Sequence, residues 1–326
     1  MKDGRITREE ILARLADRVI IMDGAMGTML QKHCTCVHSP EFDIAENPCL
    51  LNLTDPGKVA QIHRSYIQSG AELIETNTFN SAAIAHTAIG ISVDEGKDRC
   101  SVYEINRAGA EIAFRVAVEE CLGFMLGDED CSAWKEEWGP RRAIVAGSIA
   151  ATSRITSDYT QIAEGLLDGG VDVLLLESIY DLANAEVALK EIRKVIGKRT
   201  VEIPVMVSVT IDREGKILSG EDFRTVFGRL EKYGIFSLGF NCSMGAGMMI
   251  PLAIDLSEFA EEYPVSICPS AGLPDRNGQY PEGPEFWASC FFGMRYTFNF
   301  AGGCCGTTPE HIKALKDSFK QYKCSH

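Results

Sequence analysis

The sequence predicts a closed (β/α)8 barrel, the TIM-barrel fold. The chain has 326 residues, a length that suits one large barrel or two average domains. Short apolar runs alternate along it with segments of helical period, and eight such pairs can be counted. No linker or low-complexity segment interrupts the series. We therefore expect a single domain over residues 1–326, with an open parallel sheet as the alternative.

The eight predicted strands are short, mostly continuous apolar runs. Continuous runs are typical of strands covered on both faces, as the strands of a parallel barrel are. In chain order the predicted strands are residues 18–22, 71–75, 143–148, 171–177, 204–210, 236–242, 265–268 and 296–301.

Helices are predicted between these strands, and one more precedes them in the charged N-terminal segment. Thr54, Asp55 and Pro56 supply the cap and first turn of a helix that Gly70 ends. Residues 127–141 are polar and acidic, which predicts a surface excursion rather than a domain boundary. The other helices are predicted at residues 98–122, 158–168, 182–195, 221–233, 243–263, 285–296 and from 307 onward.

The composition excludes several classes of partner. The formal net charge is -14 and the sequence pI is about 5.0, which argues against nucleic acid or an anionic membrane surface. No apolar run approaches the roughly 18 residues that span a bilayer. Twelve cysteines are spread along the chain without a secretory signal. That pattern is typical of a reduced, cytoplasmic protein whose thiols are free or bind metal.

The strongest functional signal is a glycine-flanked pair of cysteines, Cys304 and Cys305, after the eighth predicted strand. Adjacent cysteines rarely bridge each other, so a shared metal ion is the natural explanation. Cys242 ends the sixth predicted strand, and strands six and eight both flank strand seven. Because the active site of this fold lies at the carboxyl ends of the strands, the three thiols can meet there.

Three thiolates without an obvious fourth ligand match a catalytic zinc site that keeps one position open for substrate. A thiol bound in that position loses its proton near neutral pH. The predicted reaction is therefore attack by a bound thiol on an alkyl group. A structural zinc would normally take four cysteines, often as close CxxC pairs, and this sequence has none.

Other candidates carry weaker signals. Cys268 and Cys290 read as small buried side chains. Cys34 and Cys36, with His33 and His38 nearby, look metal-like, but they lack a second pair and are predicted to be incidental surface residues. The carboxylate Glu177 ends an apolar strand and is a candidate for substrate binding. The alternative is that it forms a salt bridge within the barrel. Further polar residues at predicted strand ends are Asp23, Thr76, Asn77, Ser148 and Asn241.

Four motifs together resemble the homocysteine S-methyltransferase family. They are residues 23–28 (DGAMGT), 75–79 (ETNTF), 239–242 (GFNC) and 302–309 (GGCCGTTP). The resemblance spans residues 10–320. It implies a zinc-bearing barrel that transfers a methyl group to the sulfur of L-homocysteine and so yields methionine.

The resemblance also implies roles for single residues. Cys242, Cys304 and Cys305 match the zinc ligands of the family. Asp23 and Glu177 match acidic positions that hold the substrate's ammonium group. The amides of Gly24, Ala25 and Met26, together with Thr76, match positions near the substrate carboxylate. Asn241 is also matched to substrate binding.

Within the family, the likeness is greatest to the N-terminal homocysteine-binding module of cobalamin-dependent methionine synthase. This implies a methyl group taken from methylcobalamin on a partner protein, with a folate-binding methyltransferase module also acting in trans. Two features depart from that module: the sequence stops soon after its eighth helix, and residues 147–154 form a shorter segment than expected. The alternatives are a small donor, S-methylmethionine or betaine, a non-catalytic homocysteine- or zinc-binding subunit, and a metal-free barrel.

Overall fold

A sheet of eight parallel strands with helices around it makes up most of the described part of the chain. The computed structural model describes residues 4–16, 18–33, 38–39, 42–43, 48–82, 101–126, 142–151, 156–294 and 296–324. The predicted surface excursion at 127–141 and the cysteines of residues 34–36 lie outside this description, as do residues 152–155.

The strands of the main sheet are parallel throughout, and a separate antiparallel pair, β2 and β3, stands apart from it. In chain order the strands are β1 (Ile20–Ile21), β2 (His38–Ser39), β3 (Phe42–Asp43), β4 (Leu73–Glu75), β5 (Ile144–Ala150), β6 (Val173–Ile179), β7 (Val205–Val209), β8 (Ser237–Gly245), β9 (Val265–Ser270) and β10 (Phe300–Ala301).

The main sheet closes on itself. Its order is β1-β10-β9-β8-β7-β6-β5-β4, and a parallel bridge between Met22 and Leu73 joins the two ends. The amide of Asp23 donates to the carbonyl of Leu73 at 2.9 Å, and the amide of Glu72 donates to Ile21 at 2.7 Å. The predicted (β/α)8 barrel is thus confirmed, and β8 and β10 flank β9 as expected.

The helices follow the strands as predicted, with differences at their ends. They are α1 (Arg8–Leu15), α2 (Met26–His33), α3 (Leu51–Thr54), α4 (Pro56–Ser69), α5 (Val102–Leu126), α6 (Thr156–Asp168), α7 (Leu182–Ile196), α8 (Phe223–Leu230), α9 (Ala246–Ala260), α10 (Pro284–Ser289) and α11 (Pro309–Cys324). None of the helices described is long and apolar enough to cross a membrane.

The capping residues predicted both ends of α4 correctly. The side chain of Asp55 accepts a hydrogen bond from the amide of Lys58, Pro56 opens α4, and Gly70 ends it in the left-handed conformation with φ 113°. The prediction at 285–296 was too long, because α10 ends at Ser289 and turns follow it. The eighth strand is correspondingly reduced to Phe300–Ala301.

Apolar side chains fill the barrel towards the amino-terminal ends of its strands. Ile20, Met22, Leu73 and Phe300 belong to this inner cluster, with the inward-facing residues of the strands between them. Ile6 and Ile11, just before and within α1, join the same cluster, so the N-terminal helix covers that end of the barrel. The opposite end, at the carboxyl termini of the strands, is where polar side chains gather.

Candidate active site

Three cysteine sulfurs meet at the carboxyl end of the barrel. The Sγ atoms of Cys242 and Cys305 are 3.6 Å apart, and those of Cys304 and Cys305 are 3.9 Å apart. All three lie within 4.8 Å of one another, and the described residues contain no other group of three His, Cys, Asp or Glu ligand atoms gathered this closely. The predicted convergence of these residues is therefore observed.

A distortion of β8 directs Cys242 into the site. The pairing of β8 with β9 shifts register between Asn241 and Gly245. Cys242 and Ser243 adopt left-handed backbone conformations with φ 64° and 57°, which cost on the order of 1–3 kcal/mol for a residue other than glycine. Bulges of this kind redirect a side chain and are common beside active sites. The strained backbone fixes where the sulfur points.

Close backbone packing positions the cysteine pair. A Cβ on Gly303 would lie 2.4 Å from Oγ1 of Thr307, and Gly306 adopts φ +83°, so both positions require glycine. The amide of Cys304 donates to the carbonyl of Pro269 at 2.9 Å. These contacts hold neighbouring thiols on the same side of the chain.

The three thiols shift one another's pKa values in opposite directions. Hydrogen bonds from Cys304 and Cys305 lower the pKa of the Cys242 thiol to about 2. The same interaction with Cys242 raises the pKa of Cys304 well above its ordinary value and that of Cys305 to about 11. Three sulfur atoms at these distances suit a shared soft metal ion.

Three acidic side chains lie beside the sulfurs: Asp23, Glu75 and Glu177. Oδ2 of Asp23 accepts from the amide of Glu75 at 3.0 Å, and its Oδ1 has no hydrogen-bond partner among the described residues. Glu177 accepts from Oγ of Ser148 at 2.5 Å and from Nδ2 of Asn241 at 3.0 Å. Among the described residues, a hydroxyl and an amide hold Glu177, rather than the salt bridge considered as its alternative.

Burial raises the pKa of all three carboxyl groups. The pKa of Glu177 rises to about 7, and those of Asp23 and Glu75 rise well above their ordinary values. Glu75 also hydrogen-bonds Glu177, an interaction that raises the pKa of Glu75 and lowers that of Glu177. Burial and the neighbouring carboxyl groups therefore favour the neutral form of Glu75.

Sequence reasoning did not assign Glu75 to the site. The signal was available, because in the sequence Glu75 ends an apolar run just as Glu177 does. Ser270, the last residue of β9, and Tyr280, in the segment after that strand, carried no comparable signal. The phenol of Tyr280 interacts with Cys305.

Asn241 lies at the centre of a hydrogen-bond network. Its Nδ2 donates to Glu177 and to Oγ of Ser178 at 2.9 Å. Its Oδ1 accepts from the amide of Ser178 at 3.0 Å and from Oγ of Ser208 at 2.9 Å. Two donors and two lone pairs are the full capacity of a side-chain amide, so this geometry makes Asn241 a support for Glu177.

The start of α2 forms another wall. The amide of Ala25 donates to Oγ1 of Thr307 at 3.2 Å, while Gly24 and Met26 lie on either side at the helix N-terminus. Oγ1 of Thr76 accepts from the amide of Ser148 at 3.0 Å and shares a 2.6 Å hydrogen bond with Thr78. Backbone amides at a helix N-terminus are a suitable site for an anion.

These groups surround one cavity of about 460 Å³. Asp23, which is 2% exposed, lies directly behind its wall. Cys268 also contacts the cavity and is otherwise buried, as expected, with its sulfur 3.6 Å from that of Met22. Cys290 was expected to be buried but is half-exposed, because it lies just after the short α10. The other nine predicted site residues line the cavity: Gly24, Ala25, Met26, Thr76, Glu177, Asn241, Cys242, Cys304 and Cys305.

Fold and site together define a barrel enzyme whose thiol centre can hold a metal ion, next to an acidic pocket. The sequence model of the homocysteine S-methyltransferase family matches residues 20–319, and the chain belongs to that family. Family membership supports methyl transfer to homocysteine.

Solved structures share the fold. The oxidised form of the Escherichia coli homocysteine methyltransferase MmuM is 18% identical with a TM-score of 0.69, and the match covers 94% of this chain and 99% of that one. Its metallated form is 19% identical with a TM-score of 0.65 and the same coverage.

Proposed function

We propose that this protein is a zinc-dependent methyltransferase that transfers a methyl group to the thiol of L-homocysteine, giving methionine. Family membership supports the reaction class. The observation that carries the proposal is the group of three sulfurs within 4.8 Å of one another, opening onto a cavity that also contains carboxyl groups.

The residues present fit a zinc ion. Cys242, Cys304 and Cys305 offer three soft donors, and zinc sites that keep a position for substrate use three protein ligands. A structural homologue, MmuM, has been solved in a metallated form. When bound, zinc would lower the pKa of a thiol in the remaining position and keep it as a nucleophilic thiolate.

The surrounding residues suit the other groups of homocysteine. Glu177 faces the cavity as a carboxylate braced by Ser148 and Asn241, and a substrate ammonium is its natural partner. The unpaired Oδ1 of Asp23 offers a second acceptor behind the same wall.

The substrate carboxylate suits the start of α2. The amide of Ala25 already donates to Thr307, so we assign the carboxylate to the amides of Gly24 and Met26, with Thr76 beside them. Helix N-terminal amides carry partial positive charge that favours an anion.

The donor we propose is methylcobalamin carried by a partner protein, with a folate-binding module in trans. The resemblance of the whole sequence to the homocysteine-binding module of methionine synthase supports this choice. The same cavity would serve a smaller donor, S-methylmethionine or betaine, if the protein used one. In either case the homocysteine sulfur forms the new bond to the methyl carbon as the donor's bond to it breaks.

A donor panel tests the proposal. Zinc-loaded protein is incubated with homocysteine and, in turn, free methylcobalamin, a methylcobalamin-loaded partner domain, S-methylmethionine and betaine, and methionine is measured. We expect methionine with methylcobalamin. Turnover with S-methylmethionine or betaine alone would reject the cobalamin donor, and homocysteine binding without turnover from any donor would indicate a non-catalytic subunit.

Zinc content tests the metal site separately. Cys242→Ser should bind substoichiometric zinc and lose activity. Cys290→Ala is the matched control, because its half-exposed sulfur lies away from the cavity, and it should keep full zinc. Full zinc and full activity in Cys242→Ser would reject the proposed centre.

A further inference from the structure

Two residues that carry hydroxyl groups lie near the cysteine sulfurs: Ser270, the last residue of β9, and Tyr280, in the segment after it. Oγ of Ser270, which is 2% exposed, lies 4.0 Å from Sγ of Cys242, in the geometry of a weak hydrogen bond to sulfur. The indole Nε1 of Trp287 donates to the carbonyl of Ser270 at 3.2 Å and fixes the residue from the outer side. Ser270 therefore presents its hydroxyl to the sulfur from a rigid position.

Tyr280 stands on the other side of the sulfur group. Its side chain packs on Gly306, the residue that follows Cys305 in the chain. Its ring lies against the backbone of Gly306, where an added Cβ would be 2.2 Å from Cγ of the tyrosine. The ring and the cysteine pair are thus packed together with no room for a side chain between them.

Backbone hydrogen bonds fasten this segment to the cysteines. Pro269 accepts from the amide of Cys304, and the amide of Ala271 donates to the carbonyl of Cys305, each at 2.9 Å. Ala271 in turn accepts from the amide of Glu282 at 3.0 Å. The segment that carries both hydroxyls is therefore in register with the cysteine pair.

The far end of the segment is fixed as well. The carbonyl of Glu282 is 2.9 Å from Nε2 of His311, and its carboxylate accepts from the amide of Ala246, the first residue of α9, at 3.1 Å. Tyr280 lies two residues before this anchor. Contacts to α9 and α11 therefore hold the backbone at the far end of this segment.

We propose that Ser270 and Tyr280 are positioning residues that donate hydrogen bonds to the sulfurs of Cys242 and Cys305 and hold them ready for zinc. The proposal rests on the zinc site proposed above. Hydrogen bonds to an anionic ligand restrict its direction and withdraw part of its charge. Removing such outer contacts commonly weakens metal binding or activity about 10- to 100-fold.

The test compares Ser270→Ala, Tyr280→Phe and the double variant with the wild-type protein. Zinc affinity is measured by competition with a chromophoric chelator. We expect each single variant to bind zinc about tenfold more weakly, and the double variant more weakly than either. In cobalt-substituted protein, the sulfur-to-cobalt charge-transfer band should move to longer wavelength, because a sulfur without its hydrogen bond gives up an electron more easily.

Matched controls separate this effect from general loosening of the barrel. Ser266→Ala removes a buried hydroxyl from the same strand, against Gly239 and away from the sulfurs. Tyr263→Phe removes a hydroxyl from a tyrosine packed on the outer core. Both controls should match the wild-type protein in zinc affinity and in the cobalt spectrum.

The outcomes distinguish the two proposals. A wild-type protein that binds neither zinc nor cobalt would overturn the zinc site itself. A wild-type protein that binds metal, with Tyr280→Phe and Ser270→Ala matching their controls in affinity and spectrum, would overturn the positioning role alone. If Ser270→Ala fails to fold, Tyr280→Phe decides, since it keeps the ring that packs on Gly306.

Discussion

Asn241 donates a hydrogen bond from Nδ2 to Oε2 of Glu177 at 3.0 Å. Asn241 immediately precedes Cys242, so the end of β8 carries both a sulfur of the thiol group and the amide that holds the carboxylate. The same amide bonds Ser178 and Ser208. The position of the cysteine group relative to Glu177 therefore depends on one strand, β8.

Asn241→Ala should impair homocysteine binding while zinc content stays near that of the wild type. Losing a hydrogen bond to a charged group costs about 1.5–3 kcal/mol, so we expect KM for homocysteine to rise about tenfold or more. Steady-state kinetics with zinc analysis measures both quantities. The control is Asn277→Ala in an exposed loop, and an unchanged KM in Asn241→Ala would contradict the supporting role.

Asp23→Asn should make the unliganded protein more stable and a poorer binder of homocysteine. Burial raises the pKa of Asp23, whereas the unfolded chain ionises near its ordinary pKa of about 3.9. The free energy of unfolding therefore falls as the pH rises above about 3.9. Asparagine has the same shape but no charge, so the variant does not lose this stability.

Thermal unfolding at pH 7.5 and pH 4, with homocysteine titration calorimetry, tests this prediction. The gain in unfolding midpoint should be present at pH 7.5 and shrink at pH 4. A variant that is both less stable and unchanged in affinity would show that Asp23 has a purely structural role.

His63→Leu should remove an acid sensitivity from the fold. His63 is fully buried on α4, and neither ring nitrogen has a partner among the described residues. Burial lowers its pKa from 6.5 to about 3. As pH falls from 6.5 towards 3, the unfolded chain takes up a proton that the folded protein does not, so the free energy of unfolding falls by at most about 1.4 kcal/mol per pH unit.

Urea unfolding of both proteins at pH 5, 6 and 7.5 measures this contribution. The difference between them isolates His63, because the buried carboxyls act equally in both. We expect the advantage of His63→Leu to grow as the pH falls. A constant difference across the series would mean that His63 takes up its proton in the folded protein over the same pH range as in the unfolded chain.

Gly306→Ala should disrupt the site more than Gly278→Ala does. Both glycines have positive φ, +83° and +74°, so each substitution strains the backbone by about 1 kcal/mol or more. A Cβ added at Gly306 would collide with the ring of Tyr280. A Cβ added at Gly278 would have no described atom within 4 Å. We expect Gly306→Ala to lose zinc and Gly278→Ala to keep it, as measured by metal analysis and urea unfolding.

Local signals carried much of the prediction. The cap at Asp55 and the left-handed Gly70 bounded α4 correctly, because capping depends on residues within one turn. The sharp end of α10 was missed, because Ser289 and Cys290 give no local stop signal and the turns that follow lie against other elements. Glu75 was overlooked although it ends an apolar strand, a signal that had been used for Glu177.

The sequence by itself determined the alternation of strands and helices, the placement of polar residues at strand ends and the thiol chemistry of Cys304 and Cys305. Tertiary structure alone decided the rest. The bridge from Met22 to Leu73 closes the barrel, and the bulge at Cys242 aims its sulfur. Tyr280 and Ser270 reach the sulfurs only through packing. The spacing of apolar residues shows which face of a helix or strand is buried. The direction of a single side chain depends instead on strand register and on contacts between residues that are distant in the sequence.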